Sequence, residues 1–347
     1  MLKPLNRAEV QFDFLQEIGA DGRNSRTFLA NDHQLDAQIV IKQIEKSKLA
    51  SASNFFDESK ALYASAHPNV VQVHYACQDA DHVFVAMPFY PNGSVKGLIT
   101  GRHMTVREIV TIGCQVLSGL HNIHSKGLIH FDVKPDNILL SKRNEGLISD
   151  FGQAKQMNFS GVAAQDRHYM KMYAPEALTT DQFKLTFDIY QFGLTLYRMR
   201  NGNEAFYKQF DKYGPPASFD RDAFRYDLRN GKFPDRKIFH PHIPSRLRSI
   251  VRKCLQTDPS SRYQTALDVA NDLAAVDGAT LDWRLTESAA KRTWTKNEDG
   301  TNYELSVLTD GSSECFKSVG AGTPRRVKEA CQRSFPDKDI AKFLGSY

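Results

Sequence analysis

The chain is sparing with cysteine, lacks a long apolar run and carries no block of basic charge. Its five cysteines, Cys77, Cys114, Cys254, Cys315 and Cys331, are odd in number and scattered, and no two stand at C-x-x-C spacing. This argues against a disulfide framework and for reduced thiols in a cytoplasmic protein. No segment approaches the ~18–20 consecutive apolar residues that a membrane helix needs. The start, Met1-Leu2-Lys3-Pro4-Leu5, lacks the apolar stretch of a signal peptide. Net charge is only +5, and Lys and Arg are interspersed with Asp and Glu nearly throughout. Nucleic acid and membrane surfaces are therefore not expected as partners. What is present, 41% hydrophobic and 24% charged residues in a chain of 347, predicts a soluble globular protein. That length suits a two-lobed enzyme with one small extra module.

From about residue 10 to 87 the pattern predicts short strands with one helix. Strands are expected at 12–18, 26–31, 38–44, 70–76 and 82–87, where aromatic and branched residues lie between Gly and Asp turns. A helix is expected over 55–65, ended by His67-Pro68-Asn69. After Pro91-Asn92-Gly93-Ser94 the pattern turns helical. Thr105 and Glu108 form a capping-box signature, followed by Ile109, Ile112, Val116, Leu117, Leu120 and Ile123 at helical spacing. The segment 187–200 is apolar nearly all round and ends at Gly202, which predicts a buried helix. Two more helices are expected at 245–255 and 265–275. Beyond about Gly278 strands are expected at 292–296, 303–308 and 314–319, with Asp299-Gly300 and Asp310-Gly311 turns. Helices over 324–335 and 337–343 complete this part.

The richest stretch is His130-Phe131-Asp132-Val133-Lys134-Pro135-Asp136-Asn137, followed thirteen residues after Asn137 by Asp150-Phe151-Gly152. It supplies a carboxylate to orient a hydroxyl, an amine to offset negative charge and oxygens for Mg²⁺, the parts phosphoryl transfer requires. In order and spacing these segments resemble the catalytic loop and metal-binding motif of protein kinases. Ile39-Val40-Ile41-Lys42 is similar to the family's V-A-I-K strand, and Glu58 stands where the family carries its helix glutamate. Ala174-Pro175-Glu176, Asp188 and Arg262 match the A-P-E motif, the acid that anchors the catalytic loop and the arginine that pairs with the A-P-E glutamate. These features separate the chain from kinase-like small-molecule phosphotransferases. The resemblance to serine/threonine protein kinases covers roughly residues 10–277, and the stretch from Ile250 to Leu273 looks especially like bacterial eukaryotic-type kinases.

That resemblance implies an α+β, bilobal protein kinase-like fold over 1–277. It would comprise a β-rich N-lobe (about 10–87), a hinge (88–94) and a helical C-lobe (95–277), followed by a small β-meander and helix module over 278–347. It implies a serine/threonine protein kinase that uses ATP and Mg²⁺. Asp132 would be the catalytic base and Lys134 the charge-stabilising residue, and Asn137 and Asp150 would be the metal ligands. Lys42 and Glu58 would position the phosphates. Ile18, Gly19, Gly22, Ser25 and Thr27 would line the nucleotide loop. Met87 would be the gatekeeper beside a hinge of Pro88, Phe89 and Tyr90 that receives adenine. A protein substrate is implied, with a further protein partner for the module.

The chain departs from the family pattern in three places. The nucleotide loop, Ile18-Gly19-Ala20-Asp21-Gly22-Arg23-Asn24-Ser25-Arg26-Thr27, is short of the glycines that let backbone N–H groups approach phosphate. Weaker ATP binding is expected, with Arg23 and Arg26 offsetting Asp21. Phe131 replaces the arginine that binds a phosphorylated activation loop, so activity independent of that phosphorylation is expected. Tyr169 stands where serine/threonine enzymes usually carry threonine. In the module, Trp294, Tyr303 and Phe316 lie near Lys296, Lys317, Arg325 and Arg326, a composition that can bind single strands. Glu298, Asp299, Glu304 and Glu314 dilute that field, so docking on the lobe or binding a protein is favoured. Two rival readings remain, a nucleotide-binding pseudokinase scaffold and a binding protein directed by its tail.

Overall fold

In a computed structural model of the chain, residues 8–19, 25–48, 56–166 and 169–347 are described. The N-terminal part is an antiparallel sheet in the order β1-β2-β3-β5-β4. Its strands are β1 (Phe12–Gly19), β2 (Ser25–Asp32), β3 (Ala37–Glu45), β4 (Tyr75–Gln78) and β5 (His82–Pro88), with helix α1 (Asp57–Ala64) between β3 and β4. Alternation sorts the two faces of β3. Ile39 and Ile41 enter a small core with Ala30, Phe84 and Ala86, which leaves Lys42 on the opposite face.

The strand expected over 70–76 is shorter, because β4 begins only at Tyr75. Val70 and Val71 are buried, and their backbone serves the other lobe. Val71 N–H donates to Ile148 O (2.8 Å) and Ile148 N–H donates to Asn69 O (2.9 Å). Hydrogen bonds that would have lengthened β4 join the lobes instead.

The C-lobe is helical: α2 (Val95–Gly101), α3 (Val106–Ser125), α4 (Thr186–Asn201), α5 (Asn203–Asp211), α6 (Arg221–Arg229), α7 (Ser245–Cys254) and α8 (Ala266–Ala274). Of these, α2, α5 and α6 were not expected. Helix α3 starts with a complete capping box, Thr105 accepting from Glu108 N–H while Glu108 accepts from Thr105 N–H. Short two-strand ladders carry the loops: β6 (Leu128–Ile129) with β9 (Lys155–Gln156), β7 (Ile138–Leu140) with β8 (Gly146–Ile148), and β10 (Ala163–Ala164) with β11 (Gln182–Phe183). Every residue of α4 is buried, including Asp188, Gln191, Thr195 and Arg198. Buried polar groups at this density need partners, and the catalytic-loop region supplies them. Among the described residues no helix is long and apolar enough to cross a membrane.

The last part is a meander of β12 (Arg284–Glu287), β13 (Lys291–Glu298), β14 (Thr301–Leu308), β15 (Ser313–Val319) and β16 (Arg325–Arg326), closed by α9 (Asp337–Leu344). Trp283, Leu285, Trp294, Leu305, Ile340 and Leu344 form its core. The helix expected over 324–335 is absent. Arg325 and Arg326 pair with Lys317 and Phe316, and Val327 N–H donates to Cys315 O (2.9 Å). Further along, Ser313 N–H donates to Gln332 O and Phe335 N–H to Gly311 O. Covering the otherwise open edge of β15 outweighs the helix propensity of this segment. The module is docked on the C-lobe. Arg107 makes a paired bond to Asp282, Arg284 reaches Glu108 (3.3 Å), and Trp294 Nε1 donates to His242 Nδ1 (3.1 Å).

Candidate active site

Strand register sets the first half of the site. Gly19 lies opposite Thr27, Thr27 opposite Lys42 and Lys42 opposite Val85, so the end of β1 sits across the sheet from the lysine. A Cβ on Gly19 would come within 3.2 Å of Thr27 Cβ, which favours glycine there. Ile18 is exposed and Ser25 pairs with Ile44, two positions from Thr27. Gly22, with Ala20, Asp21 and Arg23, lies outside the described residues. Arg26, expected to offset Asp21, is committed to Glu17, its Nε donating to Oε1 at 3.0 Å. Met87 lies opposite Val40 in the sheet and, like Pro88, Phe89 and Tyr90, is half-buried.

Lys42 Nζ donates to Glu58 Oε1 (2.7 Å) and to Asp150 Oδ1 (2.8 Å), joining β3, α1 and the segment after β8. Burial opposes the charge on Lys42, yet Asp150 and Glu58 outweigh it and raise its pKa above the ordinary lysine value. The same lysine holds the Asp150 carboxyl well below the usual carboxylate range. Gly152 completes the cluster. A Cβ there would stand 3.2 Å from Asp150 Oδ1 and 3.5 Å from Lys42 Nζ, in space the ion pairs need.

The second half is the catalytic-loop segment, held from below by α4. Asp188 accepts from His130 N–H and Phe131 N–H, both at 2.8 Å, and contacts His124 Nε2 at 2.9 Å. Gln191 accepts from Val133 N–H (3.0 Å) and donates to Phe131 O (2.9 Å). Thr195 Oγ1 reaches Val133 O at 3.3 Å. These bonds hold Phe131 at φ 65, a strained value for a bulky residue. Its ring packs on Phe183 and Phe187 where a charged side chain would otherwise need a partner. Sequence reasoning missed Gln191 and Thr195. Their signal was three polar residues at i, i+3 and i+7 on one face of an otherwise buried helix.

Asp132 is buried. Its Oδ2 accepts from Lys134 Nζ (2.7 Å) and Asn137 Nδ2 (2.8 Å), while Oδ1 is buried without a partner. Burial raises the Asp132 pKa, Lys134 opposes this, and the nearby Asp150 adds to it. If Asp132 acts as a base, the acid limb of kcat/KM falls above the ordinary aspartate value of about 3.9. A pH–rate profile with its acid limb at or below that value would contradict this. Lys134 also lies 4.9 Å from the centre of the Tyr169 ring, so the tyrosine packs over the lysine.

The donor set fits a hard cation. Both side-chain bonds of Asn137 leave from Nδ2, and both bonds to Asp150 fall on Oδ1. That leaves Asn137 Oδ1 and Asp150 Oδ2 as oxygen ligands of the kind Mg²⁺ takes. Phe151, directly after Asp150, is buried edge-on against His130 (5.0 Å). Glu176 makes a bidentate pair with Arg262 (2.7 and 2.6 Å), which fixes the segment that follows Tyr169.

A two-lobed fold with a lysine–glutamate–aspartate cluster facing a stapled H-x-D loop defines a kinase-type phosphotransferase site. The family model for the protein kinase domain matches residues 12–272, and the chain belongs to that family. It is 27% identical to a probable serine/threonine-protein kinase of Clostridium perfringens, over 77% of this chain and 38% of that protein. It is 26% identical to serine/threonine-protein kinase PknD of Chlamydia caviae, over 79% of this chain and 32% of that protein. Against serine/threonine-protein kinase PrkC of Bacillus subtilis the identity is 24%, over 90% of this chain and 46% of that protein. The chain thus spans between about a third and a half of the length of these relatives.

Within Gln153 to Tyr173 the single Ser or Thr is Ser160, whose N–H donates to Asn158 Oδ1 in an exposed turn. Phe131 offers no cation to a phosphate there. Ser160→Ala is expected to leave turnover within about twofold of wild type, since exposed substitutions away from packed features perturb little. Steady-state kinetics of the two proteins checks this, and abolished turnover in a folded variant would contradict it.

Proposed function

We propose that this chain is a serine/threonine protein kinase that moves the γ-phosphoryl group of Mg-ATP onto a protein hydroxyl. The observation that carries the reading is the convergence on one cleft of Lys42, Glu58 and Asp150 from one side and Asp132, Lys134 and Asn137 from the other. Lys42, steadied by Glu58, holds the α- and β-phosphates. Asn137 and Asp150 would hold Mg²⁺, which would supply positive charge against the nucleotide's phosphates. Asp132 takes the acceptor's proton on its unpartnered Oδ1 and orients the hydroxyl. The bond from the acceptor's hydroxyl oxygen to the γ-phosphorus forms as the bond from that phosphorus to the ADP oxygen breaks. Lys134 offsets charge on the phosphoryl group in flight. Phe89 and Tyr90 receive adenine through neighbouring backbone groups, since Pro88 has no N–H.

The module over 278–347 is proposed to recruit or regulate. Its docking on α3 and its surface hollow of about 390 Å³, lined in part by Arg284, Tyr303, Phe316 and Lys317, support that role. Lys134, two residues after Asp132, is the basis for expecting serine or threonine as acceptor. Phosphoamino-acid analysis of labelled mixed-peptide acceptors tests this. Phosphoserine and phosphothreonine are expected, and phosphotyrosine as the main product would overturn it.

A further inference from the structure

Three side chains outside the phosphoryl-transfer cleft meet where the module joins the C-lobe. His103 follows α2, His240 lies in the loop before α7, and Glu287 ends β12. One ligating atom from each lies within 4.8 Å of the other two. His103 Nε2 and Glu287 Oε2 are 3.1 Å apart, and the His103 and His240 rings meet edge to face at 4.9 Å. We propose that His103, His240 and Glu287 bind a zinc ion that clamps the C-terminal module onto the kinase lobe. The proposal does not depend on whether the cleft is catalytic.

Two imidazoles and one carboxylate form a ligand set suited to Zn²⁺, with a fourth tetrahedral corner left for water. Mg²⁺ and Ca²⁺ call for more oxygens than this corner offers. The ligands come from three separate stretches of chain, two in the lobe and one in the module, so a shared ion would link the two units. Neighbouring groups already hold the ligands in place. His240 stacks on His242 (5.9 Å, 22° between planes), and His242 accepts from Trp294 Nε1. An indole N–H can only donate, so His242 carries its proton on Nε2 and stands behind the site rather than in it. That stacking restrains the His240 ring. The bonds from Arg107 to Asp282 and from Arg284 to Glu108 tie the same interface, so the ligands do not have to be brought together from a distance.

The charges around the cluster allow a dication. Glu287 supplies an anion, its Oε2 3.1 Å from His103 Nε2. Of the cations near it, Arg292 is paired with Asp337 (2.8 Å) and Arg248 lies over the Phe239 ring (3.7 Å).

The test is calorimetric titration of the full chain, stripped with a chelator, with ZnCl₂ in buffer free of Mg²⁺ and nucleotide. Co²⁺ serves as the spectroscopic probe of tetrahedral geometry. One equivalent of Zn²⁺ is expected to bind and to raise the melting temperature. His103→Ala and His240→Ala should each weaken binding at least about 100-fold, the upper end of what losing a group that only supports a ligand costs. His103 is partly exposed, so His103→Ala carries the test if His240→Ala does not fold. Wild-type crystals soaked in ZnCl₂ provide a measurement that needs no variant, with an anomalous peak expected between the three side chains. Absence of saturable Zn²⁺ binding by wild type, or equal binding by a folded His103→Ala, Glu287→Gln double variant, would overturn the proposal.

Discussion

Asp132→Ala lowers kcat by roughly 10²–10⁴-fold, the range general-base catalysis supplies, while the affinity for Mg-ATP stays near that of wild type. The reason is geometric. Asp132 touches neither Lys42 nor Glu58, and its free Oδ1 is the one carboxylate oxygen of the loop that is buried without a donor. An acceptor hydroxyl is the partner it lacks. The same substitution should cost little stability. Because burial raises the pKa of Asp132, its ionised form is disfavoured in the folded state, and the stability it withholds is greatest above that raised pKa. Removing the carboxylate relieves that burden but frees the bonds from Lys134 and Asn137, and the two effects oppose each other. Kinetics with nucleotide-binding measurements on the purified variant decide the matter. A loss of activity below about tenfold, or a parallel collapse of ATP affinity, would show that Asp132 is not the proton acceptor.

Arg262→Ala destabilises the fold by about 3–5 kcal/mol, the cost of removing one partner from a buried ion pair. Arg262 is 3% exposed. It donates twice to Glu176, to Thr186 O at 2.9 Å and, through Nε, to Gln256 O at 2.8 Å. Truncation strips the half-buried Glu176 carboxylate of both its guanidinium donors and removes the donor to the carbonyl of buried Thr186. For a domain of this size the melting temperature should fall by roughly 10 °C. Glu176 lies in the segment that carries Tyr169 over Lys134, so activity should fall with stability even below the melting transition. Arg262→Lys should recover only part of the loss, since an ammonium cannot reproduce the two-pronged contact. Denaturation melts of the three proteins test this, and an unchanged midpoint for Arg262→Ala would contradict it.

The catalytic half of the molecule was legible because its residues sit in short, order-specific segments. Lys42, Asp132, Asn137 and Asp150 were named from spacing, and the structure brings them to one cleft with Glu58. Helices with strong periodicity, such as α3, and with continuous apolar sequence, such as α4, were legible for the same kind of reason. Other features were not. The segment over 70–76 has the composition of a strand, but Val71 at its start bonds to Ile148 in the other lobe, a partner far away in sequence. The segment over 324–335 has helix-forming residues yet lies along the edge of β15, because sheet pairing depends on tertiary context that local propensity does not hold. The role of Gln191 was hidden by its surroundings: a glutamine in a buried helix looks like a packing error until the loop it staples is in view. The His103, His240 and Glu287 cluster was invisible for a related reason, its members being far apart along the chain.

The most direct test of the central claim is incorporation of label from [γ-³²P]ATP into a mixed protein acceptor by wild type and by Asp150→Asn, each with Mg²⁺ and with a chelator. A cleft that works as described gives Mg²⁺-dependent incorporation by wild type and background incorporation by Asp150→Asn. Equal incorporation by the two proteins, or none by a folded wild type that still binds ATP, would contradict it.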